Sequence, residues 1–326
     1  MIISRTPLRM SFTGGGSDLP AFYRRFGGAV LSSAIDKYVY VTVNPKFDNG
    51  IRIAYSKNEE VNSVPEIKHH LVRATMEYLN ISGGIEITTI ADIPSRGTGL
   101  GSSSSFTVGL LHALNAFKSS YISAEHLGRD ACHIEIDLCR EPIGKQDQYA
   151  AAYGGFNLIE FQPDDSVVVT PVICTKETIH AIQNDTIVFY TGITRSASAL
   201  LKNQSDAMVE DATKQRIMQR MVRLTYTLFE ELQKNNTQVF GEILHENWML
   251  KREMTAGISN SEIDSWYDRA RVAGALGGKI LGAGAGGFLM LYAPQHCHAA
   301  IVNALADLRK IPMKFESLGS RIIFYH

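Results

Sequence analysis

Three segments gather glycine beyond what ordinary turns require: Thr13-Gly14-Gly15-Gly16-Ser17-Asp18, Gly97-Thr98-Gly99-Leu100-Gly101-Ser102-Ser103-Ser104-Ser105, and Gly282-Ala283-Gly284-Ala285-Gly286-Gly287. The middle one follows a β-branched run at 85–90 and a break at Pro94, and it leads straight into an apolar, small-residue stretch of helical character. Glycines let successive backbone N–H groups converge on one anion, and a helix N-terminus adds a favourable dipole. The four serines bring hydroxyls that can cap the helix, meet phosphate oxygens or ligate Mg²⁺. A flexible Gly/Ser linker is the competing reading, but linkers do not usually join a strand to an apolar helix. The segment reads as a phosphate cradle. It lacks the Gly-Lys-[Ser/Thr] of a Walker A loop, and position 102 is serine where the dinucleotide fingerprint has its third glycine.

Regular elements must hold these loops. The first half of the chain reads as strands over 29–43, 51–55 and 85–90, with a helix over 66–79. Helices are predicted over 104–117 and from 124 to about 139, the second N-capped by Ser123, and a strand over 154–161. The turn Pro163-Asp164-Asp165 is the candidate boundary between two lobes, 1–165 and 166–326. Beyond it, helices are predicted over 205–234, 240–254, 261–276 and 295–308, with a terminal strand over 321–325. The third glycine segment matches G-x-G-x-x-G, with Asp307 twenty residues beyond. A strand-like run, Phe288-Leu289-Met290-Leu291-Tyr292, follows it where a dinucleotide fold needs a helix, so a tight hairpin pressed against another backbone or a ligand fits better.

Composition narrows the function classes. Of 326 residues, 32 are Lys or Arg and 33 Asp or Glu, a net charge of −1, so no overall basic field draws the chain to nucleic acid or anionic lipid. Any anionic ligand must be held locally. Apolar residues at 45% and charged residues at 20% describe a globular protein of about two domains. The four cysteines form no C-x-x-C pair and read as reduced thiols. Two charge-free stretches, 97–117 and 280–306, are too polar or too glycine-rich to span a bilayer, and Met1-Ile2-Ile3-Ser4-Arg5 carries no signal peptide. These features predict a cytoplasmic enzyme or binding protein with no nucleic-acid or membrane partner. They leave the oligomeric state open.

The three glycine segments, in this order, resemble the motifs of the GHMP kinase superfamily: Arg5 to Asp18 the first, Pro94 to Ser105 the second, Lys279 to Phe288 the third. The resemblance covers nearly the whole chain. It implies an α+β, two-lobed fold, with an N-terminal mixed-sheet ATP-binding lobe, a C-terminal ferredoxin-like α/β lobe, and ATP and sugar sharing the cleft between them. Within the superfamily, the first motif, the run from Gly144 to Gly155 and the run from Phe189 to Arg195 are most similar to D-glycero-D-manno-heptose 7-phosphate kinases. Such enzymes phosphorylate the anomeric hydroxyl to give the 1,7-bisphosphate, for nucleotide-activated heptose and surface glycans. A fucose- or galactose-type sugar 1-kinase, or a non-catalytic sugar and ATP sensor on the same fold, are the alternatives.

The resemblance also implies roles. Asp147 matches the catalytic aspartate and Arg9 the cation of the first motif; the plain alternatives are an aspartate in a turn and a surface-strand arginine. Gly97, Gly99, Leu100, Gly101, Ser102, Ser103 and Ser104 match the ATP-phosphate loop. Glu135, twelve residues before Asp147, matches the Mg²⁺-binding glutamate and is expected to work with Ser103. Asp18, with Gly16 and Ser17, is expected to meet sugar hydroxyls. For a substrate that already carries a phosphate, Lys145 or Arg195 is the expected partner, with Arg24 and Arg25 as further options.

Overall fold

The structure, a computed structural model, describes residues 1–93, 99–193 and 197–326. The chain opens with strand β1 (Ile2–Thr13), helix α1 (Pro20–Phe26) and the long strand β2 (Gly28–Pro45). Next come β3 (Ile51–Ala54), β4 (Asn58–Val61), α2 (His70–Tyr78), β5 (Ile85–Ala91), α3 (Ser102–Phe117), α4 (Ala124–Cys132) and α5 (Gln146–Tyr153). β6 (Phe156–Phe161) and β7 (Val167–Pro171) form a hairpin, followed by α6 (Lys176–Asn184), β8 (Thr186–Tyr190), α7 (Ala197–Glu210), α8 (Ala212–Gln233), α9 (Phe240–Arg252) and α10 (Ser261–Val272). The chain ends with β9 (Gly277–Ile280), β10 (Phe288–Tyr292), α11 (His298–Ala304), β11 (Arg309–Lys310) and β12 (Arg321–Tyr325).

Two sheets result. The first has the order β12-β1-β2-β5-β3-β4, with β6 paired to β2 and β7 to β6; it is mixed because β3 and β5 run parallel. The second is antiparallel, in the order β11-β8-β10-β9, and its β-α-β-β-α-β connection is the ferredoxin-like one. The fold is therefore the expected α+β pair of lobes. The 165/166 division differs from what is observed. Pro163-Asp164-Asp165 is the tight turn of the β6–β7 hairpin, closed by Gln162 N–H donating to Ser166 O, so the first lobe runs on to Pro171. It also takes back the C-terminal strand, since β12 pairs with β1. A hairpin turn and a linker draw on the same residues, so composition alone does not separate them.

Helix breaks have local causes. The helix predicted over 205–234 is two helices, because Asp211 turns extended and its carboxylate accepts the N–H groups of Thr213 and Lys214 at 2.7 and 3.3 Å. The helix predicted from 124 to about 139 is capped by Ser123 as expected, but beyond Cys132 it widens into a π-helical turn, His133–Leu138.

One apolar core ties the lobes together. Leu8, Met10 and Phe12 of β1 are fully buried, and the Phe12 ring lies 5.2 Å from Phe156 of β6 and 5.3 Å from Phe240 of α9. The second lobe thus sets the Phe240 ring against the strand that leads to the first glycine turn, which fixes the walls of the space between the lobes.

Candidate active site

β1 delivers Arg9 to the nucleotide-type loop. Arg9 is buried; its backbone N–H donates to Leu100 O at 3.1 Å and its Nη1 to Gly99 O at 2.6 Å. Leu100 is fully buried and anchors the loop from below. Gly99 and Gly101 both hold φ near +75°, a conformation that excludes most side chains. α3 then starts at Ser102 with no side-chain cap, so its first-turn N–H groups and dipole are set for an anion. Of the expected phosphate-loop residues, the structure gathers Gly99 through Ser104 here; Gly97 lies outside the described residues.

Arg9 also carries Asp147, from the first turn of α5. Its Nε and Nη2 both reach Oδ1, at 2.8 and 2.7 Å. The other oxygen, Oδ2, faces the loop: a Cβ on Gly101 would stand 3.2 Å from it. One carboxylate oxygen is thus fixed by a guanidinium while the second is presented beside the phosphate cradle, the arrangement needed to orient an acceptor hydroxyl.

Glu135 sits in the π-helical turn and is only 1% exposed. It accepts from Ser104 Oγ (2.7 Å), Thr107 Oγ1 (2.9 Å) and Gln148 Nε2 (2.5 Å). Burial pushes its pKa up to about 7 against the opposing pull of these hydrogen bonds, and Asp147 adds to the rise. Three of the four lone-pair positions are occupied and Gln148 Oε1 is buried without a partner among the described residues, an oxygen set that fits a hard cation. The serine expected beside Glu135 is shifted by one. Ser103 is exposed on the first turn, whereas Ser104 faces the helix interior and makes the contact.

The first glycine turn lies against α9 and α7. Asp18 is buried and accepts from Gly16 N (2.9 Å) and Gln146 N (3.3 Å); burial, with the Asp147 charge, raises its pKa. Ser17 does not act as expected. Its hydroxyl donates to Ala29 O and accepts from Ala29 N, both at 3.0 Å, which clamps the turn to β2. Lys251 of α9 donates to Gly15 O and to Gln204 Oε1, both at 2.9 Å. Lys279 of β9 is 4% exposed and within electrostatic reach of Lys251, Arg9 and Asp18. Sequence reasoning missed both lysines. The available signal was Lys279 as the lone charge in residues 272–306.

The expected phosphate-binding cations are placed elsewhere or undescribed. Lys145 is turned to Asp165, donating to its backbone O at 2.8 Å, and lies 4.8 Å from the Tyr23 ring centroid. Arg24 joins that cluster through Asp165 Oδ1 at 3.1 Å, and Arg25 stacks over Phe26. Arg195 lies outside the described residues.

The third glycine segment is the expected close-approach hairpin. It joins β9 to β10, and its Gly284 packs against the Ile258 backbone.

Comparison with known proteins bears on this site. The model of the GHMP kinases N-terminal domain matches residues 67–155, and that of the GHMP kinases C-terminal domain matches residues 228–307. A D-glycero-α-D-manno-heptose 7-phosphate kinase from Campylobacter jejuni is 26% identical over 93% of both chains. The crystal structure of a D-glycero-D-manno-heptose 1-phosphate kinase from Bacteroides thetaiotaomicron superposes over all of both chains with a TM-score of 0.82 at 26% identity. A Lactococcus lactis galactokinase complexed with galactose shares the fold, with a TM-score of 0.79 at 17% identity over 98% of this chain and 94% of that one.

Proposed function

The chain belongs to the GHMP kinases and is a phosphotransferase; from that premise we propose that it transfers the γ-phosphoryl group of ATP to the anomeric C1 hydroxyl of D-glycero-D-manno-heptose 7-phosphate, giving the 1,7-bisphosphate. The observation that carries the reading is the Arg9–Asp147 pair, which presents Asp147 Oδ2 beside the glycine loop at the N-terminus of α3. The choice of a heptose phosphate draws on the name of the Campylobacter jejuni relative.

Phosphoryl transfer is mostly positioning and charge stabilisation. The α3 N-terminus and the Gly99–Gly101 backbone cradle the nucleotide phosphates. Glu135 and the first-turn hydroxyls of Ser103 and Ser104 would hold Mg²⁺. When bound, the metal neutralises charge on the β- and γ-phosphates. Asp147 Oδ2 orients the sugar hydroxyl and receives its proton, and Arg9 balances charge where the acceptor approaches. Asp18 accepts from a further sugar hydroxyl. The protein works as a cytoplasmic enzyme on small anionic molecules.

ADP release measured over a panel of sugars, each with and without a terminal phosphate, tests the proposal. The heptose 7-phosphate is expected to give the highest kcat/KM. Faster turnover of an unphosphorylated fucose or galactose reassigns the acceptor. No turnover of any sugar, with Asp147→Asn leaving sugar and ATP binding unchanged, points to a sensor.

A further inference from the structure

Around the first glycine turn the fold collects hydrogen-bond donors that its own atoms do not use. Gln204 and Asn247 are 1% and 0% exposed, yet Gln204 Nε2 and Asn247 Nδ2 have no partner among the described residues. Asn247 is held by its other atom, since Oδ1 accepts from Gly14 N at 3.3 Å. One helical turn on, Lys251 is 5% exposed, and two acceptors take two of its three ammonium hydrogens. A Cβ on Gly16 would meet Gln204 Nε2 at 2.1 Å and Lys251 Nζ at 2.9 Å, so these donors converge over a glycine that leaves them room. Ser11 Oγ and Thr13 Oγ1, buried on β1, are also unpartnered.

A buried donor without an acceptor costs about 1–3 kcal/mol, and a buried charge more, so a fold keeps such a cluster where a ligand completes it. The cluster is rich in N–H and ammonium groups, and neither lysine forms an ion pair with a carboxylate among the described residues. Burial lowers the pKa of Lys251 to about 8 and that of Lys279 to about 7, the latter helped by Lys251 and Arg9. The complementary ligand is an anion with several oxygens. Gln204, Asn247 and Lys251 lie on the Gly14–Gly16 turn that carries Asp18, and Lys279 is within electrostatic reach of Lys251 and Asp18.

We propose that Lys251 and Lys279, with the side-chain amides of Gln204 and Asn247, form a second anion site that binds a phosphate group carried by the acceptor itself. The inference rests on the sugar-kinase reading and deepens it, replacing Lys145 as the candidate phosphate partner. A phosphate monoester suits the four donor side chains better than a carboxylate, because it offers three terminal oxygens and up to two charges.

The test uses the full-length protein with Lys251→Met, Lys279→Met and Gln204→Ala. Calorimetry with saturating Mg²⁺ and a non-hydrolysable ATP analogue compares mannose 6-phosphate with mannose, and turnover compares heptose 7-phosphate with heptose. The wild type is expected to favour the phosphorylated sugar at least 100-fold. Each lysine variant is expected to cut that preference at least tenfold, and Gln204→Ala three- to tenfold, with the KM for ATP moving less than threefold. Retained preference, or a KM for ATP that rises in step, overturns the site. The two readings fail separately. Loss of mannose 6-phosphate preference in the variants, with no heptose turnover by the wild type, leaves the anion site standing and removes the heptose acceptor. Turnover of heptose 7-phosphate with unchanged preference in the variants does the reverse. Should either lysine variant fail to fold, Gln204→Ala decides alone.

Discussion

Gly99 and Gly282 stand back to back: a Cβ on Gly282 would lie 2.5 Å from the Cα of Gly99, and one on Gly99 would lie 2.2 Å from Leu281 O. The nucleotide-type loop of the first lobe is therefore backed by the glycine hairpin of the second, with no side chain between them. Gly282→Ala must separate two backbones, and at φ +79° it also adds strain of about 1–3 kcal/mol. The expected result is a loss of at least 2 kcal/mol in chemical unfolding and a fall of more than tenfold in kcat/KM. Gly192→Ala is the control, because its φ of +73° is equally strained but its Cβ would meet nothing within 4 Å among the described residues. Equal losses in the two variants would show that backbone strain, and not lobe contact, is being measured.

Asp147→Asn keeps the shape of the side chain and an oxygen for Arg9, but removes the carboxylate charge beside Gly101. A group that receives a proton in the transition state contributes roughly 10²–10⁴-fold. Turnover is expected to fall by that factor with the KM for ATP within threefold and the unfolding midpoint near wild type. A fall below tenfold would reduce Asp147 to a structural partner of Arg9.

Much of this was legible in the sequence, and the residues that were not share a cause. Gly99, Gly101 and Gly282 announce themselves because only glycine tolerates those backbone angles and approaches. Arg9, Asp18, Glu135 and Asp147 came from motif likeness, and the structure brings Arg9 and Asp147 into one pair and Asp18 and Glu135 within electrostatic reach of Asp147. Ser17 and Lys145 were misjudged because a hydroxyl or ammonium near a motif looks the same whether it meets a ligand or, as here, Ala29 or Asp165. The Ser103 to Ser104 shift reflects helix phase: Ser104 and Thr107, three apart, share the face toward Glu135. Lys251 and Lys279 lie on separate elements, and only the packing of α9 on β9, and of α9 against β1, brings them to the first glycine turn.

Glu135→Gln tests metal binding. The amide preserves volume and one acceptor oxygen but loses the charge that a hard cation requires. The Mg²⁺ concentration for half-maximal activity is expected to rise at least tenfold and kcat to fall about 10²-fold. Stabilisation by ATP in the absence of Mg²⁺, read as a thermal shift, should stay within 1–2 °C, on the order of a fraction of 1 kcal/mol. An unchanged Mg²⁺ requirement would leave Glu135 as a buried partner of Ser104, Thr107 and Gln148.

The two buried lysines set a pH dependence whose sign follows from their displacement. In the unfolded chain they titrate near 10.5; in the fold burial brings Lys251 to about 8 and Lys279 to about 7. Among the described residues, the charged groups facing them are Asp18, Arg9 and each other, and of these Asp18 opposes the shift. Between about pH 7 and 10.5 the unfolded chain binds more protons than the native one, so the ligand-free protein gains stability as pH rises through that window; below pH 7 the whole penalty is present. The gain is expected to shrink in Lys279→Met, which carries no such proton. An anionic acceptor reverses the preference by favouring the ammonium form, so its binding at pH 8–9 must take up protons and weaken as pH rises further. Calorimetric titrations at pH 8.5 in buffers of different ionisation enthalpy measure that uptake directly. Proton uptake that is absent in the wild type, or unchanged in Lys251→Met and Lys279→Met, would mean that the lysines do not face the bound anion.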